Sequence, residues 1–402
     1  MPTVRFATDS EKPDQGSGSG SDSGELLEQS DPHGLLTPLE MFDFGGKGLN
    51  EPKLLDFSDE IRSHLLEDHS LGPRAGMVKR VLRELVRDEG AAMPAVSLET
   101  IQNARLDKLL SDILTLGHQQ ASVRLRPRLN IAMAERLQRS WMARFREEFF
   151  NIDQTRQEDL STSSRLKDVV FNNKAANSWE LWKAAKCKTW LNLACAYRDG
   201  IVGAIKETPT KGRYGAAALP LLTGREEVVS TDTVRYMREA KLSETHISLI
   251  SYVGSQIRIL RGHRLRSPLS PQAGIRYDGL YIVRRYSLKQ NPQTRLHRTV
   301  VTLERISKQP SMTELARIPL PSQMDDWLLF EKHEGEMIRQ HRGEQSFLEW
   351  KVMKAQERMD RRQWRRALEV GAVLTNARNA NTARECVTWG SSKMLPTISD
   401  LQ

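Results

Sequence analysis

Apolar and polar positions change their period along the chain. Over residues 51 to 116 the apolar residues recur every three to four positions. Leu54, Leu55, Ile61, Leu65 and Leu66 form one stripe; Val78, Val81, Leu82 and Leu85 form a second among Lys79, Arg80, Arg83 and Arg87; Ile101, Leu106, Leu109, Leu110 and Ile113 form a third. This spacing predicts amphipathic helices whose stripes are core or partner-helix faces. Residues 131 to 150 predict the strongest helix, with Ala132, Leu137, Trp141, Phe145 and Phe149 on one face and Arg136, Arg139, Arg144 and Arg146 around it. The period then falls to two. Ile257 and Ile259 alternate with Arg258, and Val301 and Leu303 alternate with Thr302 and Glu304, as half-buried strands require. Residues 279 to 286 are aromatic and β-branched, and Asp278-Gly279 predicts a turn that reverses the chain before them. Three strands in short order imply an antiparallel, barrel-like sheet. Beyond Glu331 the helical period returns, with Phe347, Trp350, Val352, Met353, Met359, Trp364 and Leu368 set among Lys351, Lys354, Arg358, Arg361, Arg362, Arg365 and Arg366.

Composition narrows the picture. The 402 residues are 39% hydrophobic and only 6% aromatic, which predicts solvated arms around a modest core. Residues 15 to 24 are almost entirely Gly, Ser and Asp, so the amino-terminal 50 residues are expected to be a disordered low-complexity tail. Sixty Lys and Arg against 51 Asp and Glu give a net charge of +9, which favours polyanionic partners without naming one. Cys187, Cys195 and Cys386 are too few and too scattered for a zinc module or a disulfide framework. No secretory segment opens the chain and no apolar run is long enough for a bilayer, so a soluble intracellular protein is expected.

Two segments are more specific. Val253-Gly-Ser-Gln-Ile-Arg-Ile-Leu-Arg-Gly262 is followed by Gly274-Ile-Arg-Tyr-Asp-Gly-Leu-Tyr-Ile-Val283. Together they resemble the signature half of the SRA domain, also called YDG after the Tyr277-Asp278-Gly279 triplet. The resemblance spans about residues 130 to 332 and concerns a member without a RING. It implies a nuclear, chromatin-directed protein that binds double-stranded DNA and reads methylated CpG by flipping the cytosine. A flipped base is held by stacking on both faces and by hydrogen bonds to its pairing edge. In the family two aromatic rings stack the base and an Asp reads its amino edge. Aligned on Gly224, the first ring falls on Arg225 and the Asp on Val228, Tyr236 keeps the second ring, and Met237 replaces a hydroxyl. The candidate base pocket is therefore Arg225, Glu227 and Tyr236, a degraded version of the family's. Pro220 interrupts the strand before it, which suits an edge.

The candidate phosphate ligands are Arg258, Arg261, Arg264, Arg276, Arg284 and Arg285, a dense basic run with few acids opposing it. Enzyme motifs fail on spacing. His333-Glu334 is followed next by His341 and not by a histidine four residues on, and Gly45-Gly-Lys-Gly48 lacks the phosphate-loop pattern. No catalytic residue, metal ligand or cofactor is expected. The sequence thus predicts an α+β protein: a helical region over 51 to 175, an SRA-like antiparallel β-barrel over 176 to 332, and a basic helical extension over 333 to 402. Two functions stay open. One is a non-enzymatic nuclear DNA- and chromatin-binding protein that keeps or loses methylcytosine reading. The other is a protein-interaction scaffold, built on a barrel without base readout, that docks chromatin proteins through its helices.

Overall fold

In a computed structural model, the described residues are 50–71, 73–119, 125–163, 189–212, 215–241 and 247–390. The expectations for the amino-terminal 50 residues up to Leu49 and for Cys187 lie outside them.

The amino-terminal half is a helical unit. Helix α1 (Glu51–Asp68) starts on Asn50, whose side chain accepts from the Lys53 amide at 3.2 Å, with Pro52 in the first turn. Then come α2 (Ala75–Glu89), α3 (Leu98–Asn103), α4 (Leu106–Gln119), α5 (Leu125–Phe145), α6 (Glu147–Phe150) and α7 (Ile152–Ser163). The stripes read from the sequence close one core that includes Leu54, Ile61, Val81, Leu85, Ile101, Leu109 and Trp141, except that Leu66 of the first stripe is exposed and Leu55 stays outside the core. The helix expected over 131 to 150 instead breaks at Arg146, where φ is 50°.

The second unit is a sheet. Strands β1 (Thr189–Trp190), β2 (Thr210–Gly212), β3 (Gly215–Leu221), β4 (Arg225–Val228), β5 (Thr233–Ala240), β6 (Gln256–Gly262), β7 (Ile275–Gln290) and β8 (His297–Arg305) are joined in the order β2-β3-β6-β7-β8-β5-β4, with β1 also on β7. A short helix α8 (Leu193–Arg198) follows β1. Two expectations change. The β3–β6 pair is parallel, so the sheet is mixed, and the hydrogen-bonded path is open between β2 and β4. One isolated bridge, Arg225 to Arg266, ties β4 to the loop after β6, where the Glu226 amide donates to the Arg266 carbonyl at 2.9 Å. Pro220 sits beyond the β2 pairing, so its missing N–H breaks no β2 ladder bond.

Asp278-Gly279 is not a turn. It lies inside the 16-residue β7, where Ile259 faces Gly279 and Leu260 faces Tyr277, so Asp278 is the extra residue of a β-bulge. Gly279 supports this with φ of 103°, a backbone region that side chains with a Cβ rarely adopt. A second bulge at Arg284 lets the long strand turn from β6 to β8.

After α9 (Met312–Ala316), helix α10 (Pro321–Gly390) runs past residue 332, so the division expected there falls inside one helix. It bends at Gly343, with φ of 85° and ψ of 174°, into arms 321–342 and 344–390. The first arm is wedged between the two units. On one side Asp325 accepts from Arg62 at 2.7 Å and Asp326 from Arg156 at 2.8 Å; on the other Trp327 lies edge-on to His263 at 4.7 Å. The second arm folds back, laying Phe347 and Trp350 under Gly335.

Candidate nucleic-acid interface

Strand alternation decides which arginines can meet a ligand. On β6, Ile257, Ile259 and Arg261 share the inward face, and Arg261 is 0% exposed. Its guanidinium donates to both Glu226 oxygens, at 2.7 Å from Nη2 and 2.9 Å from Nε, and to Asp278 Oδ2 at 2.5 Å. Tyr281 adds its hydroxyl at 3.2 Å. Arg276, also buried, donates from Nε to Asp278 Oδ1 at 2.5 Å and from Nη1 to the Leu315 and Ile318 carbonyls. The bulge is what aims Asp278 between the two arginines. Burial by itself raises the Asp278 pKa, but Arg276 and Arg261 outweigh it and hold the carboxyl below its ordinary value. Two buried cations, two buried anions and their hydrogen bonds form a satisfied cluster. Arg261 and Arg276 are therefore internal braces and not phosphate ligands, a correction that follows from the period-two phase of β6 and the kink of β7.

The pocket expected from Arg225, Glu227 and Tyr236 is not assembled either. Glu226 faces Tyr236 across β4 and β5, and Arg225 faces Met237, so Arg225 and Tyr236 project from opposite sides of the sheet. Tyr236 is 0% exposed, and its hydroxyl donates to the Thr223 carbonyl at 3.0 Å. Burial raises the pKa of that hydroxyl, and Glu207 pushes in the same direction. The acid beside Tyr236 is Glu226, which Arg261 and Ser267 already bind. Arg225 and Glu227 pair with each other at 3.3 Å on the outer face. Neither face of the Tyr236 ring is open to a base.

The other candidates divide by burial. Arg258 is half-buried beside Tyr277, and burial lowers its pKa. Arg284 is exposed and paired to Glu304 at 2.6 Å, Arg285 is exposed, and Arg264 is exposed with Glu357 at 2.6 Å. Arg285 stands opposite Thr302 on the outer face, the same face as Arg235, Arg225 and Met237. Lys289 and Arg298 face each other farther along it.

This face runs into a groove of about 1110 Å³ between the β4–β5 side of the sheet, the loop after β6 and the second arm of α10. The groove is lined by Arg225, Arg238, Arg264, Arg266, Arg298 and Arg361, with Thr223, Gly224, Met237, Ser270 and Trp364. Its acids are Glu239, Glu357 and Asp360. Six arginines line the cleft; Arg225, Arg238 and Arg264 are paired with Glu227, Glu207 and Glu357, and the arginines still outnumber the carboxylates around them, which keeps a positive potential toward phosphate oxygens. Sequence reasoning missed Arg238 and the joining of Arg361 to the sheet, because the contact needs a helix nearly a hundred residues downstream to fold back. The one local signal was Gly224, whose φ of 92° brings the chain against the Met237 carbonyl.

Among the described residues, no group of three or more His, Cys, Asp or Glu side chains is placed to hold a metal ion, and no helix is long and apolar enough to cross a membrane. Cys195 is buried, and burial raises its thiol pKa.

No protein-family model and no curated protein matches the chain. Solved structures do. The chain is similar to the SUVH5 SRA domain in complex with fully methylated CG DNA, at 18% identity over 31% of this chain and 90% of that one, with a TM-score of 0.24. It is similar to Arabidopsis thaliana SUVH6 in complex with SAM, at 16% identity over 42% of this chain and 40% of that one, TM-score 0.28. A third is the modification-dependent TagI restriction endonuclease, at 19% identity over 33% of this chain and 52% of that one, TM-score 0.25.

Proposed function

We propose that this chain binds duplex DNA in the nucleus by phosphate contacts, without catalysing a reaction and without reading methylcytosine in a pocket around Tyr236. The observation that carries the reading is the arginine-lined groove continuous with the outer face of the sheet. Arg225, Arg264 and Arg298 are exposed in the groove, and Arg285 and Lys289 extend the positive strip beyond it along the outer face. Such an array holds the DNA backbone and carries little sequence information. The resemblance of residues 253 to 262 and 274 to 283 to the SRA signature points to the same partner.

Binding to paired methylated and unmethylated CpG duplexes, titrated with salt, tests the proposal. Affinity falls steeply with salt, and Arg225→Ala with Arg298→Ala flattens the log–log slope by about one unit for each phosphate no longer neutralised, across all sequences. Methylation changes affinity by less than about tenfold, or about 1.4 kcal/mol. An unchanged slope in the double variant removes these arginines from the interface. A strong preference for methylated duplex overturns the exclusion of base readout.

A second reading, an interaction scaffold that docks chromatin proteins through its helices, is favoured by one observation: no cage closes around Tyr236. It gains if the full chain shows no salt-dependent affinity for duplex DNA.

A further inference from the structure

The second arm of α10 has two unlike sides. Trp350, Lys354, Glu357 and Arg361 face the rest of the molecule: Trp350 lies against Gly335, Lys354 pairs with Glu331 at 3.6 Å, Glu357 with Arg264 at 2.6 Å, and Arg361 Nη1 donates to the Gln272 carbonyl at 3.0 Å. At 3.6 residues per turn, Leu348, Val352, Ala355 and Met359 fall on the side diametrically opposite, spaced four, three and four apart. All four are exposed, Val352 to 70%. An apolar seam three turns long with the spacing of a coiled-coil interface is a surface made for one more helix or apolar strip.

Charge selects the occupant. One edge of the seam carries Lys351 and Arg358, and Arg362 and Arg366 continue it. A second copy of the arm fits poorly. Packed antiparallel it sets the Lys351 and Arg358 edges against each other, and packed parallel it stacks Arg362 and Arg366 on their own counterparts. The seam calls for an apolar strip that brings acids and no cations. This chain carries one. Between Lys12 and Lys47 there is no Lys or Arg, while Leu39, Met41, Phe42 and Phe44 alternate with Glu40 and Asp43, downstream of Glu25, Glu28 and Asp31. Phe44 lies six residues and Leu39 eleven residues before Asn50, so the apolar part of the segment reaches up to about 20–40 Å from Asn50 when extended, and tethering gives it an effective concentration in the millimolar range wherever that length spans the gap.

We propose that the Leu348–Val352–Ala355–Met359 seam is the docking site for the acidic, apolar segment over residues 25 to 44 of the same chain. The docking is independent of DNA binding.

Amide hydrogen exchange on the full chain tests it, comparing wild type with the double variant Val352→Glu, Met359→Glu. Docking slows exchange over residues 25 to 44 by at least about tenfold in wild type, and the double variant loses that protection. Unchanged exchange over β6 and β7 shows that the variant is folded, as expected for two exposed positions. Lys351→Glu gives the same loss through charge alone. Equal exchange of residues 25 to 44 in wild type and variant overturns the proposal. So does protection that disappears on dilution together with a dimeric mass, which assigns the seam to a second copy.

Discussion

Replacing Asp278 by Asn keeps the size of the side chain and removes its charge. The carboxylate accepts from Arg276 Nε and Arg261 Nη1 at 2.5 Å each and from Arg276 Nη2 at 3.0 Å. The amide that replaces it turns a donor toward two guanidiniums, and Glu226 is then the only carboxylate among the four side chains of the cluster. At an effective dielectric of about 20, one ion pair about 4 Å apart is worth about 4 kcal/mol. Two such attractions disappear, part of that is recovered by relaxation and entering water, and breaking a buried pair on one side costs about 3–5 kcal/mol. Against a typical domain stability of about 5–15 kcal/mol that is a large fraction. We expect Asp278→Asn to lower the denaturation midpoint of the sheet unit sharply and to bring the slowest-exchanging amides of β6 and β7 close to the rate of global opening. Adding Arg276→Met restores neutrality and recovers part of the deficit, whereas Glu304→Gln at the exposed Arg284 pair leaves the midpoint in place. Acid acts on the same cluster. Asp278 has a lowered pKa in the fold, so the unfolded chain takes up its proton first. The stability this group contributes is complete above the unfolded carboxylate value of about 4 and is lost as pH falls through the folded one. If Asp278→Asn unfolds within about 1 kcal/mol of wild type, the cluster does not brace the sheet and the internal assignment of Arg261 and Arg276 fails.

Two more predictions concern neighbouring positions. Gly279→Val should destabilise the sheet by roughly 1–3 kcal/mol from backbone conformation alone, because φ is 103° and a Cβ would run into the Gln309 side chain that holds both backbone groups of Leu280; a thermal melt like wild type refutes it, and weaker DNA binding without destabilisation makes the bulge functional. His263 has its pKa held down at about 3, first by burial and then by Arg361, Lys354 and Arg264. The unfolded imidazole, with a pKa near about 6.5, binds a proton that the folded one refuses, so its contribution is full above about pH 6.5 and declines as pH falls toward about 3. Denaturation midpoints between pH 7 and about 4.5 should slope downward in wild type and flatten in His263→Gln; equal slopes refute the assignment.

Local periodicity determined much of this protein on its own. The stripes through Val78, Val81, Leu82 and Leu85 and through Ile101, Leu109 and Ile113 closed the helical core as their spacing required, and the alternation in β6 and β8 marked real strands. Even the burial of Arg261 was legible, since it stands two residues beyond Ile259 on the same face. Counting it with its basic neighbours hid that, because charge density along a sequence carries no inside or outside. What the sequence could not determine rests on partners distant in the chain. A bulge exists only relative to the opposite strand, so Asp278-Gly279 read as a turn until β6 supplied the register that makes Asp278 the extra residue. Arg225 and Tyr236 looked like one pocket because they align with one, yet β4 pairs with β5 in a register that sends them to opposite faces. The groove requires the arm beyond Gly343 to return to the loop after β6, and only the folded chain brings Arg361 beside Arg225 and Arg298. Side-chain period is a property of a few consecutive residues; register, bulges and clefts belong to pairs of segments that tertiary packing alone brings together.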